Sequence, residues 1–313
     1  MPEWIIERGI GETRAALVED HRIVEARILR ERIVTAGTVL RAQLKTVGRN
    51  AVASADGKEY LLPKGAPGVS QGTTLTIEVT REDLGGAEPW KRALAKATDE
   101  EPRPASALAG REVAFPGATD DLEAAGWSDL LDEARSGIIA FPGGELRVSL
   151  TPAMTLIDID GQLPPAELAV TGARAAAKAI RRHGVGGSIG IDLPTVEGKA
   201  VRQSAAAAID EMLPQPFERT AVNGFGFIQI VRPRAHASLF ELAADRASFE
   251  ARALLRRAAR EVGAIRLAAH PAIIAKLNRN PGWLDQLSRH TGGLITLRSD
   301  ASLAMSAGHA ERA

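Results

Sequence analysis

Three aspartates that follow apolar, strand-like segments are the residues best suited to chemistry in this chain of 313 residues. Asp158 and Asp160 end the segment 154–160, and Asp192 ends the segment 188–192. Residues two apart on a strand share one face, and functional groups collect at the carboxyl ends of strands in open α/β sheets. Three carboxylates there repel by roughly 4 kcal/mol per pair at about 4 Å and an effective dielectric near 20. A hard cation such as Mg²⁺ removes that repulsion, so the set predicts a metal site. The alternative for any single aspartate is a helix cap or an arginine pair.

A helix predicted over Pro165–His183 connects the two aspartate segments. Such a βαβ unit makes the two strands parallel, with a right-handed crossover. The helix carries four cations within one arc of its surface, namely Arg174, Lys178, Arg181 and Arg182. A basic face beside an acidic pocket suits a polyanion such as a nucleic-acid backbone. The alternative is an ordinary solvated helix face.

The regions before and after the aspartate segments are predicted to form separate structural units. Short strands over 37–97, with a hairpin signal at Asp56-Gly57, predict a small barrel or open sheet closed by a helix over Trp90–Ala97. Residues 99–117 are rich in Glu, Pro, Ala and Gly and predict a linker. Helices alternating with strands after residue 246 predict a small α+β domain.

Tyr60 is the only tyrosine and has Lys58 and Lys64 nearby in the sequence. An exposed aromatic side chain flanked by lysines could stack on a base, whereas a hairpin tyrosine packed on its own sheet is the alternative. Lys64, Lys91 and further cations of this region supply capacity for phosphate contacts.

The charge balance and the lack of cysteine limit the kinds of site that this protein can carry. Lys+Arg and Asp+Glu balance at 39 each, so phosphate binding must come from local basic clusters. The chain has no cysteine, which excludes disulfides and thiolate zinc sites and fits a reducing compartment. With no signal-peptide pattern and no apolar run of about 20 residues, we expect a soluble cytoplasmic protein without a membrane partner. The sequence around Ser188 matches G-x-S-x-G, but a helix precedes it and a strand follows, which excludes both a serine-hydrolase elbow and a dinucleotide fingerprint.

Several segments together resemble the catalytic half of the bacterial ribonuclease E/G family. They are Thr155-Leu-Ile-Asp158-Ile-Asp160, Gly186-Gly-Ser-Ile-Gly-Ile-Asp192, Phe225-Gly226 and the pair Arg232 and Arg234. Family members carry T-x-I-D-[IV]-N, then G-G-x-I-x-I-D, then R-F-G followed by a strand and x-R-x-R. Leu61-Leu62-Pro63 stands where members carry F-L-P. The resemblance covers most of the chain.

The resemblance implies a mixed α/β fold with five parts. These are a ribonuclease-H-like part split between 1–35 and 127–150, an OB-fold-like RNA-binding insertion over 36–97, a linker over 98–126, a DNase-I-like catalytic subdomain over 151–245 and a small α+β domain over 246–313.

The resemblance also implies a Mg²⁺-dependent endoribonuclease of RNA processing or decay, acting on single-stranded RNA. One or two Mg²⁺ ions would be held by Asp158 and Asp192, with Asp160 as a third ligand or an orienting group. A metal-activated water would attack the phosphodiester and leave a 5′-phosphate. The expected phosphate contacts are Arg174, Lys178, Arg232 and Arg234.

The chain departs from the family pattern at four places. Asp160 replaces an asparagine, and Asn223-Gly224 stands where the arginine of R-F-G is expected. The segment 98–126 is too short for the family's 5′-end sensor, and the cysteines of its zinc link are missing, so no zinc-bridged dimer is expected and the oligomeric state stays open. Two alternatives follow: a non-catalytic RNA-binding protein on a degenerate scaffold of this family, and a small-molecule phosphohydrolase.

Overall fold

The computed structural model describes residues 2–85, 88 and 90–312. The first three strands, β1 (Glu3–Arg8), β2 (Glu12–Glu19) and β3 (Arg22–Arg30), form an antiparallel meander. The turn between β2 and β3 holds two residues at positive φ, Asp20 and His21, as expected of a tight two-residue hairpin.

The second unit is a closed barrel with its own apolar core. Its strands are β4 (Val39–Leu44), β5 (Ala51–Ala55), β6 (Lys58–Leu62), β7 (Thr74–Arg81) and β8 (Ala93–Ala97), in the order β4-β5-β6-β8-β7. The small barrel predicted from the sequence is therefore confirmed. The helix predicted over Trp90–Ala97 is wrong, because β8 closes the barrel by pairing parallel to β6 and antiparallel to β7, with Ala93 and Ala95 buried.

The predicted linker contains regular structure. Strand β9 (Arg111–Val113) pairs parallel to β1 and makes the first sheet four-stranded. Helices α1 (Asp121–Ala124) and α2 (Trp127–Ser136) follow. Asp120 accepts a hydrogen bond from the buried guanidinium of Arg14, which ties this segment to the first sheet.

The third unit is a six-stranded sheet that carries the three aspartates. Its strands are β10 (Ile138–Phe141), β11 (Gly144–Leu150), β12 (Thr155–Gly161), β13 (Gly187–Asp192), β14 (Glu218–Arg219) and β15 (Phe227–Arg232), in the order β10-β11-β12-β13-β15-β14. The hairpin of β10 and β11 thus extends the sheet of the aspartate strands, because β11 pairs antiparallel to β12.

Two helices cover one face of this sheet. Helix α3 (Pro165–Arg182) joins β12 to β13, and these strands are parallel as the sequence predicts. Helix α4 (Lys199–Met212) packs beside α3 and contributes Ala205 and Ile209 to the same core. The sequence places both helices within one residue of their observed starts and ends.

The C-terminal unit is a small α+β arrangement with a separate core. Helix α5 (Leu239–Ala244) precedes this unit and packs into the core shared with the six-stranded sheet. The elements of the C-terminal unit are α6 (Arg246–Ala258), β16 (Gly263–Ala269), α7 (Pro271–Asn278), α8 (Pro281–Thr291), β17 (Gly292–Ser299) and β18 (His309–Arg312), with strand order β17-β16-β18. The mixed α/β class predicted from the sequence is confirmed. Across the described residues, the helices are too short or too polar for any of them to cross a membrane.

Candidate functional site

Asp158 and Asp192 are direct neighbours across two parallel strands. Their Cα atoms are register partners, the last pair in the ladder between β12 and β13. Register partners project to the same side of a sheet, and adjacent strands lie about 4.8 Å apart. Both residues are exposed to solvent. The two carboxyl groups therefore leave the sheet side by side on one open face.

Helix α3 lies on the other face of the sheet. Along β12 the buried Ile157 and Ile159 alternate with the exposed Asp158 and Asp160. The packing of α3 is so close at Ile159 that a Cβ on Gly172 would lie 2.5 Å from its Cγ2 atom. The isoleucines therefore face α3 and the aspartates face away from it, so the basic face of α3 does not lie beside the carboxylates as the sequence pattern suggested.

The cation that does lie beside the aspartates is Arg147, which sequence reasoning missed. Arg147 is the register partner of Asp158 on β11, and its Nε atom lies 3.4 Å from an Oδ2 oxygen of Asp160. It also pairs with Glu145 at 2.7 Å. The signal that could have identified it is the hairpin register of β10 to β12, which places every second residue of β11 on the aspartate face.

The carboxyl group of Asp158 has a raised pKa. Partial burial is the largest cause, followed by the negative charges of Asp160 and Asp192. The backbone N–H of Ile159 and the positive charge of Arg147 oppose the rise. The charges of the three aspartates therefore interact, and Arg147 compensates for that repulsion only in part.

The donor set fits a Mg²⁺ ion held by two carboxylates. Mg²⁺ is commonly bound through one or two carboxylates while it keeps several waters, so a complete protein cage is not required. Among the described residues, no cluster of three or more His, Cys, Asp or Glu side chains is arranged to hold a metal, so the three aspartates do not form a complete ligand set. Asp158 and Asp192 would be the ligands, because Asp160 is engaged by Arg147.

A cleft of about 210 Å³ lies where the segment before β8 meets the sheet. Its lining includes Trp90, Lys91 and Ser188, and Trp90 is exposed. Ser188 is on the same strand face as Asp192, four residues away, which is about 13 Å at 3.3 Å per residue. Lys91 pairs with Glu88 at 2.6 Å, so its charge is partly neutralised.

The two arginines expected to contact phosphate, Arg232 and Arg234, lie at the far end of the aspartate strands. Arg232 is the register partner of Gly187, about 16 Å along β13 from Asp192. Its Nη1 atom donates to the carbonyl of Val185 at 3.0 Å. Arg234 forms ion pairs with two acids, Glu88 and Glu241. Both side chains are half-buried, and Arg234 joins the segment before β8 to helix α5 through its two ion pairs.

The cations of α3 line a groove of about 760 Å³ on the reverse face. Three of them have acidic partners: Arg174 pairs with Glu211 at 2.9 Å, Arg181 with Glu25, and Arg182 with Glu133. Lys178 is exposed in the same groove. Any phosphate that Arg174 and Lys178 contact is therefore on the opposite side of the sheet from Asp158.

Of the two interpretations of Tyr60, packing on its own sheet is the one that the structure shows, so the ring is not available to stack on a base. Only 2% of Tyr60 is exposed, and its ring packs inside the barrel with Leu62. The alternation of the strand explains this, because residues 60 and 62 share the inward face of β6. Lys64, in the turn after β6, is exposed and free to meet solvent or ligand.

A tight loop before β15 lies next to Asp192. The amide of Leu193 donates to the carbonyl of Gly226 at 3.1 Å, which joins the loop to the residue after Asp192. Gly224 lies in open space, since no described atom comes within 4 Å of the position that a Cβ would occupy. Phe225 projects its ring into solvent and is 83% exposed.

A scan against models of known protein families gives no match to this chain, and a search of characterised proteins likewise gives none.

Proposed function

We propose that this chain is a Mg²⁺-dependent endoribonuclease that cleaves single-stranded RNA. The observation that carries the proposal is the register pairing of Asp158 and Asp192 on an open sheet face. Two adjacent carboxylates that repel each other, with only partial compensation by Arg147, are stabilised by a bound divalent cation. The segments shared with the ribonuclease E/G family point to RNA as the substrate.

The proposal gives each residue at the site a role. Asp158 and Asp192 would hold Mg²⁺, and the chemistry that this ion supplies is polarisation of a phosphate oxygen and activation of a water nucleophile. Arg147 is placed to meet the negative charge of the phosphodiester and to orient Asp160. In-line attack of water on phosphorus would expel the 3′ oxygen and leave a 5′-phosphate on the downstream fragment.

The proposal extends to the barrel and to the two α/β parts of the fold. The closed barrel of β4 to β8 is compatible with an OB-type RNA-binding module, and such barrels hold single strands by charge and stacking. Lys64 and Lys91 would contact the backbone there, with Trp90 at the cleft between barrel and sheet. The ribonuclease-H-like and DNase-I-like names for the two α/β parts rest on the resemblance.

A non-catalytic RNA-binding protein is the second candidate. Two observations favour it: Gly224 offers no cation at the position next to Phe225, and Asp160 is paired with Arg147 instead of orienting Asp158. Such a protein would bind single-stranded RNA with the same barrel and cleft but would not turn it over.

Cleavage of a fluorogenic single-stranded RNA in a Mg²⁺ titration tests the proposal. We expect wild type to cleave with Mg²⁺ and not in chelator, and we expect Asp158→Asn and Asp192→Asn to lose at least a hundredfold in rate, on the order of one lost electrostatic catalytic group. Asp285→Asn, an exposed aspartate of α8, is the matched control and should cleave as wild type does. Binding of RNA without faster cleavage than Asp158→Asn would favour the second candidate.

A further inference from the structure

Phe225 is the most exposed aromatic side chain among the residues that the structure describes. It is 83% exposed, compared with 69% for Trp90, while the remaining aromatic residues are buried or half-buried. Leaving a phenylalanine in water forgoes the stabilisation that burial of a large apolar side chain normally provides. Single exposed apolar side chains are common on protein surfaces, so the case for a role depends on where this ring lies.

The loop that carries Phe225 is rigidly built. The side-chain oxygen of Asn223 accepts hydrogen bonds from two backbone amides, those of Phe225 at 2.9 Å and Phe227 at 3.0 Å. The amide of Asn223 in turn donates to the carbonyl of Phe227 at 3.0 Å. An asparagine that bonds to the backbone two residues ahead fixes a turn. The backbone that carries the ring is therefore held in place by the turn, and the ring extends from it into solvent.

Contacts with the segment after Asp192 fix the loop in space. Gly226 has a φ of +89°, and a Cβ there would come within 2.3 Å of the carbonyl oxygen of Leu193. The hydroxyl of Thr195 donates to the carbonyl of Phe225 at 3.3 Å. Because Phe227 is the register partner of Asp192, the ring is held at the β15 side of the carboxylate pair.

We infer that Phe225 is a stacking platform for one base of a single-stranded RNA, at the nucleotide next to the phosphate held at Asp158 and Asp192. The inference rests on the proposed function and adds to it a base contact at a defined side of the site. A single rigid ring beside a phosphate-binding position suits a nucleobase, since every base presents a flat π-face. Stacking of this kind does not depend on which base is present. This agrees with the composition of the turn, where Asn223 is the one hydrogen-bonding side chain and its oxygen already accepts two backbone amides.

The test is a double-mutant cycle between the ring and the base. Fluorescence anisotropy would measure affinity for a short labelled single-stranded RNA in Mg²⁺ at low temperature, with RNA integrity checked on a gel. A set of oligonucleotides, each abasic at one position, would be compared with the intact RNA. We expect Phe225→Ala to weaken binding of intact RNA by about tenfold, the usual range for a lost base–aromatic stack. For the RNA that is abasic at the contacted position, Phe225→Ala and wild type should bind equally.

Two further variants make the result specific. Phe225→Trp should keep or tighten the affinity, since indole stacks at least as well. Val262→Ala, at an equally exposed apolar side chain in the C-terminal unit, should bind as wild type does. Phe225 is solvent-exposed, so thermal unfolding of Phe225→Ala should match wild type and exclude a folding defect.

Failure of this inference can be told apart from failure of the proposed function. If wild type cleaves RNA with Mg²⁺ but Phe225→Ala binds every oligonucleotide as wild type does, the base contact is wrong and the nuclease stands. If the ring and one base are coupled but no cleavage occurs, the base contact stands and the catalytic proposal fails. Equal loss of affinity for intact and all abasic RNAs would overturn the stacking role.

Discussion

Asp158 and Asp192 are register partners at the ends of two parallel strands, and both side chains leave the sheet on the face opposite helix α3. The relationship has an electrostatic consequence. Two carboxylates on adjacent strands, whose backbones lie about 4.8 Å apart, repel by roughly 1 kcal/mol when they are exposed to solvent, and Arg147 removes only part of that cost.

The first prediction concerns stability without metal. Asp158→Asn removes one charge from the aspartate set, so in chelator the free energy of unfolding should rise by up to about 1 kcal/mol relative to wild type. The sign follows from the raised pKa of Asp158: a carboxyl that binds its proton more tightly when folded loses stabilisation as the pH rises through its folded pKa. Chemical denaturation at pH 7 in chelator measures the difference, with Asp285→Asn as control. Lower stability of Asp158→Asn would show that this carboxylate has a stabilising partner.

The second prediction concerns Arg147. A positive charge opposite Asp158 weakens binding of a divalent cation and strengthens binding of a phosphate. Arg147→Gln should therefore tighten Mg²⁺ binding about two- to fivefold while lowering kcat/KM for RNA. Calorimetric titration and steady-state cleavage measure the two effects on the same preparations. Arg147→Lys keeps the charge and should therefore bind Mg²⁺ with the wild-type affinity. A fall in both the Mg²⁺ affinity and kcat/KM for Arg147→Gln would contradict this role.

The third prediction restores a cation beside Phe225. Gly224 has room for a side chain and does not adopt a positive φ, so Gly224→Arg should fold as wild type does. Following the ribonuclease E/G pattern, the new arginine should raise kcat/KM for RNA by about tenfold, the value of one charge-assisted phosphate contact. Gly224→Gln has similar size without charge and serves as control. If both variants cleave alike, the position does not face the phosphate.

The fourth prediction follows from the placement of α3 on the reverse face. Because Arg174 and Lys178 are separated from Asp158 by the sheet, the double variant Arg174→Ala/Lys178→Ala should cleave a short RNA within about twofold of wild type. Loss of the exposed pair between Arg174 and Glu211 should change stability by less than about 1 kcal/mol. A tenfold loss on a short RNA would show that the cations of α3 reach the reacting phosphate after all.

The βαβ unit around the aspartates could be predicted because its signals are local. Apolar alternation marks β12 and β13, while Pro165 and Gly184 mark where α3 starts and stops. The side of the sheet that α3 covers was also encoded, since a helix must pack on the isoleucines at 157 and 159.

Other features of the fold depend on pairing between segments that are far apart in the sequence, so the sequence predicts them less well. Residues Ala93–Ala97 form a strand because they pair with both β6 and β7 and so close the barrel. This tertiary pairing outweighs the helical preference of an alanine-rich segment. The position of Arg147 depends on a hairpin register that a single residue could shift. Phe225 carries no sequence signal for exposure, because its environment is set by the turn at Asn223 and by contact with Leu193.

Under the proposed function, Asp158 and Asp192 hold one and the same metal ion. A calorimetric Mg²⁺ titration of wild type, the two single Asp→Asn variants and the double variant tests this most directly. Two ligands of one ion act as a unit, so their effects should be strongly non-additive. We predict that each single substitution weakens Mg²⁺ binding by at least about tenfold and that the double variant loses little more. Unchanged Mg²⁺ affinity in either single variant, or additive losses from independent sites, would contradict the shared site.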